Sequence, residues 1–229
     1  NTGNNAPANK SIAVTGNGAK SPLNRPASTL HPSNITASNI KTIDAVMWTH
    51  AHADHANGID DLWQFLWTRK NELPVYASKA TFKALKKRFD YVFSKNNSYF
   101  KPPLNVNTLN EGQFDICGMK AFAFKQLHGY ENTFGYRIGS FVYSTDVKEF
   151  PKSSEKYLHD IDLWVVDCVR YEPHYSHSHF EQTISWIKKF KPKKAVLTHL
   201  GAWLDYDKLK KLCPLNVEPG YDGLVINLT

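Results

Sequence analysis

The sequence predicts an α/β fold in which two β-sheets pack face to face and helices cover their outer faces, an αββα sandwich. Short apolar runs with the period of strands alternate with runs that have the period of helices, and this order occurs twice. Residues 104–145 are instead a series of short strands broken by glycines, which is typical of a meander. The length of 229 residues is enough to bury one sizeable core.

The first half of the domain alternates between the two kinds of element. The apolar run at residues 43–49 predicts a strand, and Gly58 begins a helix that continues to residue 66 with apolar positions at helical spacing. Residues 73–76 predict the next strand. Ser78 is placed to cap a helix. The apolar face of that helix is Phe82, Leu85, Phe89 and Val92.

The second half of the domain also alternates between strands and helices. After the strands of residues 104–145, residues 162–166 predict a buried strand. The segment 180–190 predicts a helix that packs on a sheet, because its apolar residues form one stripe. Residues 215–217 and 224–228 predict two closing strands. The first 37 residues are rich in Asn, Ala, Ser, Pro and Thr without a sustained period, so we assign residues 1–37 as irregular and residues 38–229 as the domain.

The most informative segment lies directly behind the first of these strands. Residues 50–55 read His-Ala-His-Ala-Asp-His, so that His50, His52, Asp54 and His55 fall within six positions. Imidazole and carboxylate are ligands that Zn²⁺, Mn²⁺ and Fe accept. Alternate spacing lets His50 and His52 point into one site, while Asp54 and His55 can reach a second ion. This pattern predicts a metal centre.

Three more potential ligands follow predicted strands. His128 ends one strand, Asp146 follows the next, and His199 comes directly after the apolar run at residues 194–198. Loop residues at one edge of a sheet converge into a shared cavity. We therefore expect these side chains to join the residues of the first cluster.

These residues resemble the metal-binding signature of the metallo-β-lactamase superfamily. Further segments resemble its PhnP-type branch, which contains metal-dependent phosphodiesterases that act on cyclic phosphodiesters. They lie at residues 135–139, 143–146, 167–171, 173–177, 197–199, 204–207 and 221–223. The resemblance implies the αββα sandwich of that superfamily, with two mixed sheets. Its glycine-rich N-terminal strands have no evident counterpart here, so this lobe is either abbreviated or partly missing from the chain.

The resemblance also implies a role for each residue. One metal ion would be held by His50, His52 and His128, the other by Asp54, His55 and His199, with Asp146 bridging them. Asp54 is counted as catalytic as well as a ligand. His177 matches the position of the general acid in this branch, with His179 as the rival for that role.

The expected function is a dinuclear hydrolase that cleaves a small phosphodiester, possibly of a cyclic ribose, through a hydroxide between two divalent ions. Zn²⁺, Mn²⁺ and Fe fit the ligands equally well. Arg137 and Arg170 are expected near the pocket, where they could hold a second phosphate. Two alternatives remain open, namely an RNA-processing nuclease and a thioester or lactone hydrolase of the same fold.

Composition limits the partners. The net charge is +7, from 28 basic and 21 acidic residues, and such a field attracts phosphates of any size. The lysine clusters fall on predicted helices, where they usually form a solvated face, so RNA is the less favoured partner. No run is long enough to span a bilayer, and the three cysteines are isolated. We expect a cytoplasmic enzyme that has no membrane partner. The sequence leaves its oligomeric state open, and a homodimer is one option because relatives often pair.

Overall fold

The computed structural model describes residues 12–15, 42–66, 69–94, 104–222 and 224–226. Its smaller sheet has four strands in the order β1-β2-β3-β4, and all three pairings are parallel. These strands are β1 (Ile12–Thr15), β2 (Ala45–Trp48), β3 (Leu73–Ser78) and β4 (Leu104–Leu109). Within the described residues the pairings of this sheet are thus all parallel, whereas two mixed sheets were expected.

The larger sheet has seven strands and is mixed, in the order β11-β10-β9-β8-β7-β6-β5. The strands β5 to β8 form an antiparallel meander, and β8 to β11 are parallel. Their bounds are β5 (Gly112–Ile116), β6 (Met119–His128), β7 (Glu131–Ile138), β8 (Phe141–Ser144), β9 (Leu163–Asp167), β10 (Lys194–Thr198) and β11 (Val217–Pro219).

Helices cover the outer faces of both sheets. The described helices are α1 (Ala53–Ala56), α2 (Trp63–Leu66), α3 (Lys79–Arg88), α4 (Asp90–Phe93), α5 (Lys152–Glu155), α6 (Phe180–Phe190) and α7 (Tyr206–Leu212), with a 3₁₀ turn at Asn57–Leu62. Among the described residues, none of them is long and apolar enough to cross a membrane.

Three apolar layers show the sandwich. Along β2, Ala45 and Met47 face the layer between the two sheets, whereas Val46 and Trp48 face the layer beneath α2 and α3. A third layer lies between the larger sheet and α6. The two sheets are also tied by a hydrogen bond of 2.8 Å from the Tyr136 hydroxyl to the Trp48 carbonyl. The predicted αββα architecture is confirmed.

Several elements differ from the sequence prediction. Strand β1 lies inside the segment assigned as irregular and pairs with β2, so the assignment fails at Ile12–Thr15. Residues 58–66 form a 3₁₀ turn and a short helix instead of one helix. β4 joins the smaller sheet and not the meander. Residues 224–226 have no regular structure, and the rest of the predicted last strand lies outside the described residues.

The helix predicted after Ser78 is confirmed with its cap, but Val92 of its expected apolar face lies on α4 instead. The Ser78 hydroxyl accepts a hydrogen bond of 3.1 Å from the backbone N–H of Thr81, which satisfies one free donor of the first turn of α3. Residues Phe82 and Leu85 are buried on the face that was expected. This capped start fixes where α3 leaves the sheet edge.

Candidate metal centre

The loop after β2 places the first histidines. Beyond Trp48 the chain passes through Thr49 and His50 into α1. His50 is buried, with its Nδ1 3.1 Å from the Thr49 hydroxyl. His55 on α1 is fully buried, whereas His52 is exposed. The end of the strand thus holds one histidine rigidly and leaves its neighbour open to solvent.

His128 is the last residue of β6 and is held in one tautomer. Its Nδ1 lies 2.8 Å from the Ser176 carbonyl oxygen. A carbonyl can only accept, so Nδ1 carries the proton and the lone pair of Nε2 is free. Metal-binding histidines commonly donate their second ring nitrogen in this way. His128 is therefore prepared to bind a cation through Nε2.

Asp146 and His199 share an unusual backbone conformation. They follow β8 and β10, and their φ angles are +52° and +57°, in the left-handed region. Such a conformation costs a non-glycine residue about 1–3 kcal/mol and is found at functional sites. Asp146 is fixed further by Thr133, which donates to its carbonyl at 3.1 Å, and by Thr145, which donates to Oδ1 at 3.0 Å. The strain is thus held in place by buried hydrogen bonds.

The buried carboxylate of Asp146 lies at the centre of the histidines. Its Oδ1 is 3.0 Å from Nε2 of His55 and 3.2 Å from Nε2 of His199. Its Oδ2 is 3.4 Å from Nε2 of His50 and 3.5 Å from Nε2 of His128. Each carboxylate oxygen therefore faces a different pair of imidazoles, as a bridging ligand would.

The potential ligand atoms form three groups, and within each group all lie within 4.8 Å of one another. The first group is His50, His52, His128 and Asp146, and the second is Asp54, His55 and His199. The third, Asp146, His177 and His199, shares Asp146 with the first group and His199 with the second. In the second group Oδ2 of Asp54 lies 3.2 Å from His55 and 3.3 Å from His199. All seven residues proposed from the sequence are thus brought together, in the two sets that the resemblance implied. Their role as ligands stays a prediction.

The electrostatics of the cluster favour a cation. Burial lowers the pKa of His50 to about 4, so this ring is neutral at pH 7. Burial also opposes a charge on His55, but attraction to Asp146 and Asp54 outweighs it and raises the pKa to about 9. The pKa of Asp146 lies well below its usual range, although burial opposes ionisation, because His199 and His55 attract its charge. Negative charge is thus concentrated where a divalent ion would be bound.

The residues fit two divalent ions. The Nε2 atoms of His50 and His55 are buried and point at Asp146 without the alignment of a hydrogen bond to any described residue. Buried polar atoms without an aligned hydrogen bond are rare, and a cation between these nitrogens and the carboxylate would satisfy both. Imidazole nitrogens and carboxylate oxygens together suit Zn²⁺, Mn²⁺ or Fe.

His177 lies beside this cluster. Its Nε2 is 4.0 Å from Oδ2 of Asp146, and its Nδ1 is 3.2 Å from Oδ2 of Asp167. The rival His179 occupies the N-cap position of α6, where its side chain makes no capping hydrogen bond. Geometry thus places His177, and not His179, at the candidate centre.

Two residues near the centre have no role in the sequence prediction. Asp167 is fully buried at the end of β9, where it orients His177 and also lies 3.8 Å from Nδ1 of His199. A carboxylate that ends an apolar strand is the signal that revealed Asp146, and it could have revealed Asp167 too. Glu131 lies 3.3 Å from Nε2 of His52. No sequence pattern points to it, since it starts the strand that returns from His128.

The two arginines expected near the pocket are used elsewhere. The Arg137 guanidinium donates to the backbone carbonyls of Gly139, Tyr157, His159 and Asp160. That of Arg170 donates to the carbonyls of Glu172 and Pro173. Both side chains hold loops together, so neither is free to hold a second phosphate as predicted.

Comparison with known proteins agrees with the fold and the ligand pattern. A family model described as a β-lactamase superfamily domain matches residues 15–200. The chain belongs to the metallo-β-lactamase superfamily. The crystal structure of a diphosphatase from the PhnP family is 26% identical to this superfamily member, with a TM-score of 0.80 over 95% of this chain and 80% of that one. The resemblance drawn from the sequence is confirmed.

Two relatives carry names that refer to other activities. An octanoyltransferase of Porphyromonas gingivalis is 33% identical over 189 residues, which are 81% of this chain and 38% of that protein. A ribonuclease Z of Thermococcus kodakarensis is 29% identical over 105 residues, which are 44% of this chain and 32% of that protein. This metallo-β-lactamase chain thus spans less than two fifths of the length of either relative.

Acidification is expected to release the metal ions. At pH 7 an ion can bind His50 without displacing a proton, but at His55, with a pKa of about 9, it must displace one. Each displaced proton makes the affinity rise about tenfold per pH unit until the ring is neutral. Zinc titrated calorimetrically at pH 7 in two buffers with different ionisation enthalpies should show proton release, and dialysis at pH 4 should remove the zinc. Full zinc content after dialysis at pH 4 would contradict imidazole ligation.

Proposed function

We propose that this chain is a dinuclear metal-dependent phosphodiesterase that acts on a small phosphodiester. One observation carries the proposal. The Asp146 carboxylate lies between two groups of ligands, with His177 4.0 Å from its Oδ2. Two cation sites and a proton donor at these residues would surround one small volume, which is what cleavage of a phosphodiester requires.

The metal ions and the side chains have different tasks. Two divalent ions held by these ligands supply positive charge against the phosphoryl oxygens and make water a better nucleophile at neutral pH. His50, His128 and His199 fix the positions of the ions. Because Nδ1 of His177 faces the Asp167 carboxylate, its Nε2 is the nitrogen available to protonate a departing oxygen.

The similarity to a PhnP-family diphosphatase, at 26% identity, supports a phosphate ester or anhydride as substrate. The ribonuclease Z match favours a tRNA precursor as the second candidate. The match to the octanoyltransferase covers only 38% of that protein. Because its name refers to transfer of an acyl group, a thioester is the third candidate substrate. Cytoplasmic location and a homodimer remain predictions.

A substrate screen tests the proposal. Protein loaded with Zn²⁺ or Mn²⁺ should hydrolyse an aryl phosphodiester and a cyclic ribose phosphate with a kcat/KM about 100-fold above that for an acyl thioester, a discrimination within the range of polar recognition. Chelated protein is the control and should be inactive on all substrates. Preferred cleavage of the thioester, or of a tRNA precursor at its 3′ end, would replace the proposed function by that alternative.

A further inference from the structure

A cleft of about 700 Å³ opens beside the candidate metal centre. Among the described residues, its walls include His50 and His52 but not His177, His199 or Asp54. The cleft therefore begins at the first group of ligands, and the proposed proton donor lies outside its walls. Its volume lies within the range of sites for small molecules.

The walls of the cleft are rigid parts of the fold. They come from the start of α3, from the turn between β4 and β5, and from the hairpin of β6 and β7. The hairpin wall is tied to the centre, because the Phe134 N–H donates to the Thr49 carbonyl at 3.0 Å and Thr133 donates to the Asp146 carbonyl. A group bound here is thus held in a fixed position relative to the metal ligands, which lowers the entropic cost of orienting it.

The charges of the cleft do not favour a second phosphate. Lys79 and Lys125 are balanced by Glu111 and Glu131 on the same walls. No arginine lines it among the described residues. A phosphate group in such a site would meet as much negative as positive charge, so its attraction would be small. The occupant that fits is uncharged.

The side chains of the cleft also disfavour a plain alkyl chain. Leu109, Phe134 and Ala84 supply an apolar surface, but Asn110 and Asn132 bring amides to the same walls. Both amides are exposed, and an alkyl chain would make no hydrogen bond to either of them. A ring system with a flat apolar face and a polar edge can use both kinds of surface.

We propose that this cleft binds a nucleoside, as the group that stays attached to phosphorus when the ester bond breaks. This inference rests on the proposed phosphodiesterase function and assigns its substrate class. His177 contacts the ring of His128 but does not line the cleft. If His177 serves the departing oxygen, the retained group is the one that lies at His52. In hydrolysis, water oxygen bonds to phosphorus, the bond from phosphorus to the leaving oxygen breaks, and that oxygen takes up a proton.

Three substrates with the same leaving group test the inference. We compare the p-nitrophenyl phosphate esters of thymidine (at its 5′ oxygen), methanol and octanol, which differ only in the retained group. The thymidine ester should have a kcat/KM at least about tenfold above the methyl ester, corresponding to about 1.4 kcal/mol of added binding. Ala84→Trp should lower the kcat/KM of the thymidine ester to that of the methyl ester, because the indole fills the cleft.

Lys83→Trp is the matched control, since it adds the same ring on an exposed position of α3 outside the cleft. It should retain the preference for thymidine. Equal rates for thymidine and methyl esters, or a preference for octyl, would overturn the nucleoside assignment while leaving the phosphodiesterase function intact.

Failure of the proposed function would look different, because none of the three esters would be cleaved. Calorimetric binding of thymidine 5′-monophosphate to the metal-loaded protein then decides whether the cleft binds a nucleoside. Binding that Ala84→Trp weakens at least about tenfold, but Lys83→Trp does not, supports the nucleoside site. Absent binding, or equal binding to both variants, overturns it.

Discussion

Replacing Asp146 by alanine should remove metal and turnover together. This carboxylate faces two pairs of imidazoles, one from each group of ligands, so its loss weakens both cation sites at once. Two divalent ions lower the pKa of water from near 16 to about 7, and we expect activity to fall by about 10⁴-fold or more without them. Elemental analysis of the purified variant should find fewer than the expected two ions per chain.

Glu181→Ala is a suitable control, because Glu181 is an exposed carboxylate on α6 outside both groups of ligands. It should retain full metal content and activity. Circular dichroism of Asp146→Ala should show an intact fold, since the sandwich is built by apolar layers away from the site. A variant that keeps two ions and loses only activity would show that Asp146 is not a bridging ligand.

The potential metal ligands could be predicted from the sequence because they lie at the end of a predicted strand or directly after one. In a sheet, the carboxyl ends of parallel strands meet at one edge, and β8 and β10 are separated only by β9. Asp146 and His199 therefore had to lie near each other once the strands were recognised. The His50 segment carries enough ligands in six residues to be recognised without any knowledge of the fold.

Other features depend on pairings that a single sequence does not show. β1 has four residues, too few for a period to be recognised, and it is stabilised by pairing with β2. β4 has the pattern of a meander strand, but it pairs in parallel with β3 across the helices α3 and α4. The cleft beside His52 is formed by segments from three separate elements. It appears only once those elements are packed.

Asp167 is a residue for which both the sequence pattern and the fold are needed. The sequence marks it as a carboxylate at the end of an apolar strand, but not as a residue that contacts His177. That contact requires the loop before α6 to return to the sheet edge, where the N–H of Ser178 also donates to the Asp167 carboxylate at 3.4 Å. A pattern can thus indicate a chemical group, while the fold decides which partner it orients.

The His177→Ala variant should separate proton donation from metal binding. An alkoxide is a poor leaving group and needs a proton, whereas p-nitrophenolate leaves without one. We therefore expect cleavage of an alkyl phosphodiester to fall about 10²–10⁴-fold, the usual contribution of a general acid, while p-nitrophenyl esters are cleaved nearly as before. Measured kcat values for a series of leaving groups should depend more steeply on leaving-group pKa in the variant. Metal content should stay unchanged.

His179→Ala is the matched control, because it removes the same imidazole two positions away. His179 occupies the N-cap position of α6, and the described contacts of Asp146 include His177 but not His179. Its loss should affect both classes of ester equally and modestly. If His179→Ala steepens the dependence on leaving-group pKa and His177→Ala does not, the proton reaches the substrate from the start of α6, and the contact between His177 and Asp167 only supports the loop.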